Sequence, residues 1–485
     1  MPIVAGVDSS TQATKVELRD LTTGKVVGAG RAAHPIARPP RSEQAPGAWW
    51  DALIAATAEA LESAQPAVRP SDVVAIAVAA QQHGLVVLDG HGNVLRPSKL
   101  WNDTESAEDA DRLVAHLGAS EWVSACGSVP VPAFTITKLS WLRRCEPDTF
   151  ARVGHVLLPH DWLTYRLTGR FVTDRGDASG TGYWSPTECL YRTDLLNLID
   201  EETDWSTALP RVLGPWDQAG SLISEAASAL GLPSHTAVAA GTGDNMAGAL
   251  GTGLRSGEVI ISIGTSGTVF AQSGQPVQDP SGAIAGFADA TGRYLPLVCT
   301  LNATLVTAAI GRLLSVDHSG LDELALAAPS GCDGLVLVPY LAGERTPNRP
   351  NATGTLAGIR SEVNRELLAR AAFEGVVCSL LEGLDALKAA GVPTRGGRLV
   401  LLGGGARSSA YRQVVATLAD RPVTVPSDSE IVSAGAAVQA AVLATGSDPA
   451  DIAGAWNLRE GGTTTPGADS AASGEVRRRF REARG

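Results

Sequence analysis

Two turns rich in hydroxyl side chains, the second of which also contains two glycines, follow apolar strands at corresponding places in the chain. The first is DSSTQATK at 8–15, and the second is GTSGT at 264–268. Backbone N–H groups and hydroxyls in such turns can bind phosphate oxygens, and a carboxylate at a strand end can hold Mg²⁺ through water. Asp8 is that carboxylate, and Lys15 adds a cation. An ordinary tight turn explains either stretch alone, but the pair predicts two turns that grip a triphosphate from both sides.

An acidic residue lies in a glycine-rich connection near the middle of the chain. Asp244 and Asn245 end the run GTGDN, which follows an apolar stretch. A carboxylate held in such a connection can orient a sugar hydroxyl and take its proton during phosphoryl transfer. An Asx turn or a helix cap would use the same two residues equally well. Both interpretations stay open on the residues alone.

Two further stretches carry side chains suited to binding a polyol. Gln82 and His83 lie in QQHG, between two apolar strands, where the imidazole can hydrogen-bond a hydroxyl or a carbonyl. Trp101 and Asp103 belong to WND, which offers an aromatic face beside polar groups. A structural histidine and a core tryptophan are the competing interpretations.

A glycine run separates an apolar strand from an amphipathic helix in LLGGGARSSAYRQ. The glycines at 403–405 let an adenine or a ribose lie flat against the backbone, because no Cβ stands in the way. A plain strand-to-helix turn is the alternative. Neither the GxxxxGK[ST] spacing of a P-loop nor a GxGxxG run after a strand occurs, so those two nucleotide-binding folds are not supported.

The elements that must position these residues alternate between strands and helices. Both hydroxyl-rich turns join two apolar strands, which predicts a similar hairpin in each half of the chain. Apolar residues at helical spacing predict a long helix over 362–390, ended by Gly391. The alternation predicts an α/β fold with mixed or parallel sheets. We place the domain break near 244–256 and predict two domains, 1–245 and 246–485.

Composition excludes several classes of protein. Hydrophobic residues make up 44% and charged residues 19% of the chain, as in a globular protein. The formal net charge of −12 disfavours a nucleic-acid partner, which needs a basic surface. No apolar run reaches the ~18–20 residues that cross a bilayer, and the N-terminus predicts a strand instead of a signal peptide. We therefore expect a cytoplasmic protein without a membrane partner. The six cysteines form no CxxC pair, which predicts free thiols.

Taken in order along the chain, these stretches resemble the FGGY carbohydrate kinases and, within that family, the xylulokinases. One such fragment would be weak, but the ordered series covers nearly the whole chain and is specific. The series comprises the Asp8 hairpin, SEQ leading to WW at 49–50, QQHG, WND, LLPHDWLTYRLTG, TDRGDASGTGYW, GTGDNMAGALGTG, SIGTSG, PYLAGERTP, LLGGGARSSAYRQ and SAGAA.

The resemblance implies an α/β fold of two ribonuclease-H-like domains, as in actin-like ATPases, flanking a catalytic cleft. Sugar is then held mainly by the N-terminal domain and ATP mainly by the C-terminal one. The implied reaction transfers a phosphoryl group from ATP to D-xylulose, giving D-xylulose 5-phosphate, with Asp244 as the catalytic base. A homodimer is a further expectation from the family.

The remaining roles are carried over motif by motif. The implied sugar contacts are Gln82, His83, Trp101, Asp103 and Asn245. Asp8 is implied to place Mg²⁺. The implied phosphate and adenosine contacts are Thr11, Lys15, Gly264, Thr265, Gly404, Ala406 and Ser408.

Two departures from the family pattern affect these expectations. Ser10 stands where many members have glycine, so the first phosphate turn is expected to differ in backbone conformation. Gln82 stands where many xylulokinases have methionine, and an amide there changes one sugar contact. An FGGY kinase acting on ribulose, gluconate or glycerol is therefore the nearest alternative. An actin-like ATPase without sugar dependence is the alternative from a different class, because fold alone does not fix function.

Overall fold

The computed structural model describes residues 1–467 and 473–485, which form two compact units. The first unit consists of Met1–Leu254, Gly286–Leu295 and Asp428–Arg459. The second consists of Arg255–Ala285, Pro296–Ser427 and Glu460–Gly485. The sequence predicts a single break after residue 245, whereas the chain returns to the first unit twice after it has left.

The strands are short, and most of them lie in two large sheets. They are β1 (Ile3–Ser9), β2 (Ala13–Asp20), β3 (Val26–Ala33), β4 (Glu43–Gln44), β5 (Val73–Ala80), β6 (Val86–Leu88), β7 (Ser98–Lys99), β8 (His155–Leu157), β9 (Val172–Asp174), β10 (Trp184–Ser185), β11 (Leu190–Tyr191), β12 (Arg211–Leu213), β13 (Gln218–Ser221), β14 (Ala237–Ala239), β15 (Thr242–Gly243), β16 (Val259–Ile263), β17 (Gly267–Phe270), β18 (Ala285–Ala288), β19 (Tyr294–Thr300), β20 (Val336–Val338), β21 (Thr355–Ala357), β22 (Leu399–Leu402), β23 (Val423–Pro426) and β24 (Gly461–Thr464).

Helices alternate with these strands along the chain. They are α1 (Pro46–Ser63), α2 (Ala107–Leu117), α3 (Ala119–Cys126), α4 (Thr135–Cys145), α5 (Pro147–Phe150), α6 (Pro159–Thr168), α7 (Arg175–Ala178), α8 (Thr193–Asn197), α9 (Trp205–Ala208), α10 (Ser224–Leu230), α11 (Asp244–Gly251), α12 (Thr304–Leu314), α13 (His318–Ala327), α14 (Arg365–Ala389), α15 (Ser409–Ala419), α16 (Ile431–Thr445), α17 (Pro449–Ala455) and α18 (Ser473–Arg484).

The first unit is built on a mixed seven-stranded sheet in the order β13-β14-β5-β1-β2-β3, with β15 also pairing with β5. β1 is antiparallel to β2 and parallel to β5, and all its residues are buried. The register places Asp8 opposite Lys15 on β2 and opposite Ala79 on β5. The first hydroxyl-rich turn therefore lies at the same sheet edge as the end of β5, which leads into QQHG.

Glycines let α16 approach both β1 and α11 closely. A methyl group on Gly6 of β1 would overlap the backbone oxygen of Ser433 in α16. A methyl group on Gly435 of α16 would likewise overlap the backbone oxygen of Ala247 in α11. This packing explains why Asp428–Arg459 folds with the first unit, although the sequence assigns it to the second domain.

Within the described part of the chain, no single helix is long and apolar enough to cross a membrane. The pair α16 and α17 meets the criterion by length and composition when taken together, with a bend of 115° between the two helices. The apolar residues of α16 are mostly buried, and the helix packs on β1, β5 and α11.

The second unit repeats the strand plan of the first. Its sheet includes the strands β19-β17-β16-β22-β23-β24 in that order, with β16 antiparallel to β17 and parallel to β22. The predicted long helix is confirmed as α14, which starts after Asn364, whose side chain accepts a hydrogen bond from Leu367 N. The α/β fold with mixed sheets and one hairpin in each half is also confirmed.

Candidate active site

Asp8 and Lys15 form an ion pair at the end of β1. Asp8 Oδ2 lies 3.3 Å from Lys15 Nζ, and Lys15 Nζ donates a second hydrogen bond to Glu430 Oε2 at 2.6 Å. Asp8 Oδ1 is buried, and no described residue hydrogen-bonds it. The predicted cation of the first turn is thus held between two carboxylates of its own unit.

The pKa directions follow from burial and from this pairing. Burial raises the pKa of Asp8 above its usual value, since the charged form loses hydration, and the ammonium of Lys15 offsets part of the rise. Burial would lower the pKa of Lys15, but the carboxylates of Asp8 and Glu430 outweigh it and raise that pKa. A buried carboxylate with one unpartnered oxygen is the arrangement that a bound cation would relieve.

Asp244 is the first residue of α11 and is linked to Gln82 by one amide. Asn245 Nδ2 donates to Asp244 Oδ1 at 3.0 Å and to Gln82 Oε1 at 2.9 Å. A Cβ on Gly243 would lie 2.6 Å from Gln82 Cγ, so glycine makes room for this contact. The structure therefore brings together three residues that the sequence predicts for the same site.

The environment of Asp244 favours its protonated form. Burial raises the pKa of Asp244 to about 7, and the negative charges of Asp8 and Asp177 add to the rise. Its side chain is partly exposed, so a ligand can still reach it. A carboxylate with a pKa near neutrality can accept a proton in physiological conditions, as a general base requires.

His83 is held from several sides in a left-handed backbone conformation, with a φ of 65°. Its Nδ1 lies 2.8 Å from Gly180 O, which fixes the ring proton on that nitrogen because a carbonyl only accepts. Its ring centroid lies 5.0 Å from that of Phe134 and 5.5 Å from that of Phe287. The position of the imidazole is therefore fixed by its own unit.

Trp101 connects the WND stretch to the first turn. Trp101 Nε1 donates to Thr11 Oγ1 at 3.0 Å, and Thr11 Oγ1 donates to Gln81 Oε1 at 3.3 Å. Thr11, predicted to contact phosphate, is thus hydrogen-bonded to residues of both stretches predicted to contact sugar.

Asp103 is fully buried, and protein groups bond both of its carboxylate oxygens. Lys99 Nζ lies 3.1 Å from each oxygen, and Ser42 N donates to Oδ2 at 2.9 Å. Lys99 also pairs with Glu43 and Glu105. Glu43, Asp103 and Glu105 are close enough to share a metal ion, but the ammonium of Lys99 lies among them. These contacts suit a residue that positions the WND stretch.

Sequence reasoning predicted Gln82 but missed two polar side chains beside predicted residues, Gln81 and Asn102. Gln81 Nε2, Gln82 Nε2 and Asn102 Oδ1 are buried, and no described residue hydrogen-bonds them. Unpartnered buried donors and acceptors are costly unless a ligand satisfies them. Gln81 and Asn102 stand inside QQHG and WND, so the motifs themselves contained the signal. His160 and Asp177 are buried as well. They lie in LLPHDWLTYRLTG and TDRGDASGTGYW, two stretches of the resemblance to which no site role was assigned.

In the second unit, the turn after β16 is fixed by α12. Gly264 O accepts hydrogen bonds from Thr304 N at 3.0 Å and from Thr304 Oγ1 at 2.8 Å. Thr265 is exposed and borders a pocket of about 490 Å³. One face of α12, which includes Ala308 and Arg312, forms much of the pocket wall.

The glycine run after β22 lies directly beside this turn. Gly403 has a φ of 82°, and a Cβ there would lie 2.5 Å from the backbone oxygen of Ile263, the residue before Gly264. A Cβ on Gly404 would meet nothing within 4 Å. The second unit therefore places two of its predicted nucleotide contacts, Gly264 and Gly404, at one sheet edge, and Gly404 faces open space.

The other two predicted adenosine contacts are engaged within the protein. Ala406 is 4% exposed. Ser408 Oγ accepts a hydrogen bond from Tyr411 N at 3.0 Å, which caps α15, and donates to Asp322 Oδ1 at 2.6 Å. Ser409 N also donates to Asp322 at 2.8 Å. Asp322 therefore fixes the start of α15 beside the glycine run.

Comparison with known proteins agrees with this architecture. The model of the FGGY family of carbohydrate kinases, N-terminal domain, matches residues 3–251, and that of the C-terminal domain matches residues 259–444. The chain belongs to the FGGY family of carbohydrate kinases. Family membership makes it an ATP-dependent carbohydrate kinase by class, with ATP as co-substrate.

Two relatives of this FGGY kinase are similar over almost their whole length. One, from Streptomyces rubiginosus, is 44% identical over 95% of this chain and 92% of its own, and is named xylulose kinase. The other, from Streptomyces coelicolor, is 45% identical over the same shares and carries the same name.

Solved structures match along the full chain. The crystal structure of xylulose kinase from Bifidobacterium adolescentis covers 100% of this chain and 99% of its own, with 37% identity and a TM-score of 0.84. A gluconate kinase from Lactobacillus acidophilus reaches a TM-score of 0.91 at 23% identity, covering 100% and 97%. At that identity the likeness concerns the fold alone.

Proposed function

We propose that the protein transfers the γ-phosphoryl group of ATP to D-xylulose and releases ADP and D-xylulose 5-phosphate. The observation that carries the proposal is the 44% and 45% identity, over 95% of the chain, to two proteins named xylulose kinase. The fold does not select the sugar, since a gluconate kinase has the same fold.

Asp244 is the proposed general base. Its carboxylate takes the proton from the sugar hydroxyl as that oxygen attacks the γ-phosphorus. A pKa of about 7 supports this role, because the group then ionises near neutral pH and still accepts a proton readily. The hydrogen bond from Asn245 at 3.0 Å keeps the carboxylate oriented.

Gln82, His83 and Trp101 are proposed to bind the sugar. The support is chemical: Gln82 Nε2 and neighbouring Asn102 Oδ1 are buried atoms that no described residue satisfies, and sugar hydroxyls can both donate and accept. Asp103, paired with Lys99, is proposed to position this set without touching the sugar.

The turns of the second unit are proposed to bind ATP. A phosphate would bind at the turn after β16, which contains Gly264 and Thr265. Gly404 leaves space for adenosine beside this turn. Backbone N–H groups suit this task in a chain with a net charge of −12, because phosphates must be held locally.

Mg²⁺ is the metal ion that this chemistry implies, and Asp8 fits it. Asp8 Oδ1 is a buried carboxylate oxygen without a hydrogen-bond partner in the described chain, and Mg²⁺ prefers oxygen ligands. When bound, Mg²⁺ would neutralise phosphate charge. Lys15 and Thr11 stand beside Asp8 in the first turn and are proposed to face the phosphates.

The test is ADP release from Mg-ATP, measured without sugar and with D-xylulose, D-ribulose, glycerol or gluconate. The proposal predicts a large rise with D-xylulose and much smaller rises with the other acceptors. A preference for another acceptor would reject the sugar assignment, and a rate independent of any sugar would reject the kinase reaction for this chain. A cytoplasmic location and a homodimer stay predictions, and sedimentation equilibrium would test the dimer.

A further inference from the structure

Four titratable side chains are buried together in the first unit, outside the proposed sugar contacts. His160 and Asp161 open α6, Asp174 ends β9, and Asp177 lies in α7. None of the four is more than 1% exposed. These groups must stabilise one another by hydrogen bonds and opposite charge, because burying an isolated charge costs much free energy.

The closest contact in this cluster joins His160 and Asp177. His160 Nδ1 lies 2.8 Å from Asp177 Oδ2 and 3.3 Å from Asp161 Oδ1. Asp161 and Asp174 are further tied by backbone amides, since Leu158 N donates to Asp161 at 2.8 Å and Gly176 N donates to Asp174 at 2.8 Å. Asp177 Oδ1 is buried, and no described residue hydrogen-bonds it.

This cluster rests directly against the segment that carries Asp244. Thr242 Oγ1, two residues before Asp244, donates to Asp174 Oδ2 at 2.8 Å. A Cβ on Gly176 would lie 3.0 Å from Met246 Cγ, and one on Gly241 would lie 2.9 Å from His160 Cδ2. Residues on both sides of Asp244 therefore pack against the elements that hold His160 and Asp177.

We propose that His160 and Asp177 are positioning residues for the reaction, and that their buried charges set the pH range over which Asp244 accepts a proton. The proposal rests on the proposed function, in which Asp244 is the general base. The negative charge of Asp177 favours the protonated form of Asp244, and protonated His160, 2.8 Å from Asp177, offsets that charge. The carboxylates supported by this single imidazole are those of Asp161, Asp174 and Asp177.

The charge states agree with this role. Burial would lower the pKa of His160, but the surrounding carboxylates, led by Asp161 and Asp177, raise it to about 9. The imidazole is therefore cationic at neutral pH. Burial, Asp8 and Asp177, in that order, raise the pKa of Asp244.

Other charged groups also face Asp244 from the elements around it. Asp8 lies on β1, and beyond it stand Lys15 on β2 and Glu430 before α16. Tyr183 lies near the cluster as a neutral group, because burial raises its pKa. A variant of His160 or Asp177 leaves these groups in place. It does change the charge felt by Asp161 and Asp174, because His160 lowers the pKa of both carboxyls and Asp177 raises it. The two substitutions therefore report the buried cluster through this pair.

The test compares pH profiles of kcat/KM for D-xylulose at fixed, saturating Mg-ATP. Asp177→Asn removes the negative charge, and we expect the acid limb to move down by roughly 0.5–1 pH unit. His160→Gln removes the positive charge, and we expect the limb to move up. If the two residues have a purely structural role, both variants lower the rate but do not shift the acid limb of the pH profile in opposite directions. That result would overturn the proposal. Asp111→Asn, an exposed acid on α2, is the matched control and should leave the profile in place.

A measurement on the wild-type protein covers the case in which a variant does not fold. In a ¹⁵N-histidine spectrum at about pH 8, below the pKa of about 9, one imidazole should still be doubly protonated. If every imidazole is neutral at that pH, the proposal is overturned. Asp244→Asn separates the role of Asp244 from the role of the His160–Asp177 pair. If Asp244→Asn keeps full activity, Asp244 is not the general base. If Asp244→Asn is inactive but the pH profiles of the His160 and Asp177 variants do not move, only the role of the pair is rejected.

Discussion

The two units share a strand plan but use it to present different chemistry. In each, an antiparallel hairpin pairs with a parallel third strand: β1 and β2 with β5, and β16 and β17 with β22. In the first unit the strand ends carry buried or partly exposed charged and amide side chains, linked as Asp244, Asn245 and Gln82. In the second they carry glycines, of which Gly404 leaves open space.

Ligand chemistry accounts for this difference between two units with the same strand plan. A sugar offers hydroxyls that need directional partners, and its attacking hydroxyl needs a base, so the first unit supplies side chains with constrained geometry. A nucleotide offers a flat ring and phosphate oxygens, which backbone amides and empty space accommodate. The predictions below would weaken this division or define it more closely.

The largest effect is expected for Asp244→Ala. Loss of a general base typically costs ~10²–10⁴-fold in rate, so kcat should fall by at least that range while the fold stays intact. Steady-state kinetics with a circular dichroism check on folding would measure it. Asp111→Ala is the matched control. If a variant at Asp244 keeps most of its kcat, the first unit does not supply the general base through Asp244.

The pH dependence of the wild-type enzyme should reflect the same group. Asp244 works when ionised, and its pKa is about 7, so activity should fall as the pH drops below that value. The expected slope is about tenfold per pH unit for one essential ionisation. A rate that stays flat well below this pKa would show that no group with the pKa of Asp244 limits the reaction.

For the second unit, Gly404→Val should impair nucleotide binding alone. The added side chain has open space in the protein, so only a ligand would collide with it. We expect the KM for ATP to rise about tenfold, equivalent to ~1.4 kcal/mol, with the KM for sugar unchanged. Gly274→Val is the control, because a Cβ there also meets nothing within 4 Å. Equal effects of the two substitutions would argue against a nucleotide at Gly404.

The smallest effect is expected for Gln82→Met, the side chain found in many xylulokinases. The change removes the acceptor for Asn245 at 2.9 Å and the unpartnered Nε2 donor. A neutral hydrogen bond is worth ~0.5–1.5 kcal/mol, so the KM for D-xylulose should rise roughly 2–10-fold. If only the KM for ATP changes, Gln82 does not contact the sugar.

Local patterns made much of this site predictable from the sequence. Strand-turn-strand signals located Asp8 and the second turn, and a glycine-rich connection located Asp244. Residues whose partners lie far along the chain could not be inferred in this way. The role of Lys99 follows only from the carboxylates that the fold places around it. Likewise, His160 contacts Asp177 only once β9 and α7 pack on α6.

The domain boundary shows the same limit. The return of Asp428–Arg459 to the first unit depends on close packing of Gly6 and Gly435 against backbone atoms. No composition change in the sequence marks that return, whereas the spacing of the apolar residues over 362–390 predicted the helix there. Local propensity and periodicity are readable from sequence, and long-range complementarity is not.

The most direct test of the division between the units is calorimetric binding of D-xylulose and of Mg-ADP to His83→Ala and Gly404→Val. We expect His83→Ala to weaken D-xylulose binding about tenfold or more and to leave Mg-ADP binding unchanged, with the reverse for Gly404→Val. His91→Ala, an exposed histidine in the first unit, should change neither. If both variants weaken the binding of both ligands to the same extent, or if the two effects are exchanged, the two units do not divide sugar and nucleotide binding in this way.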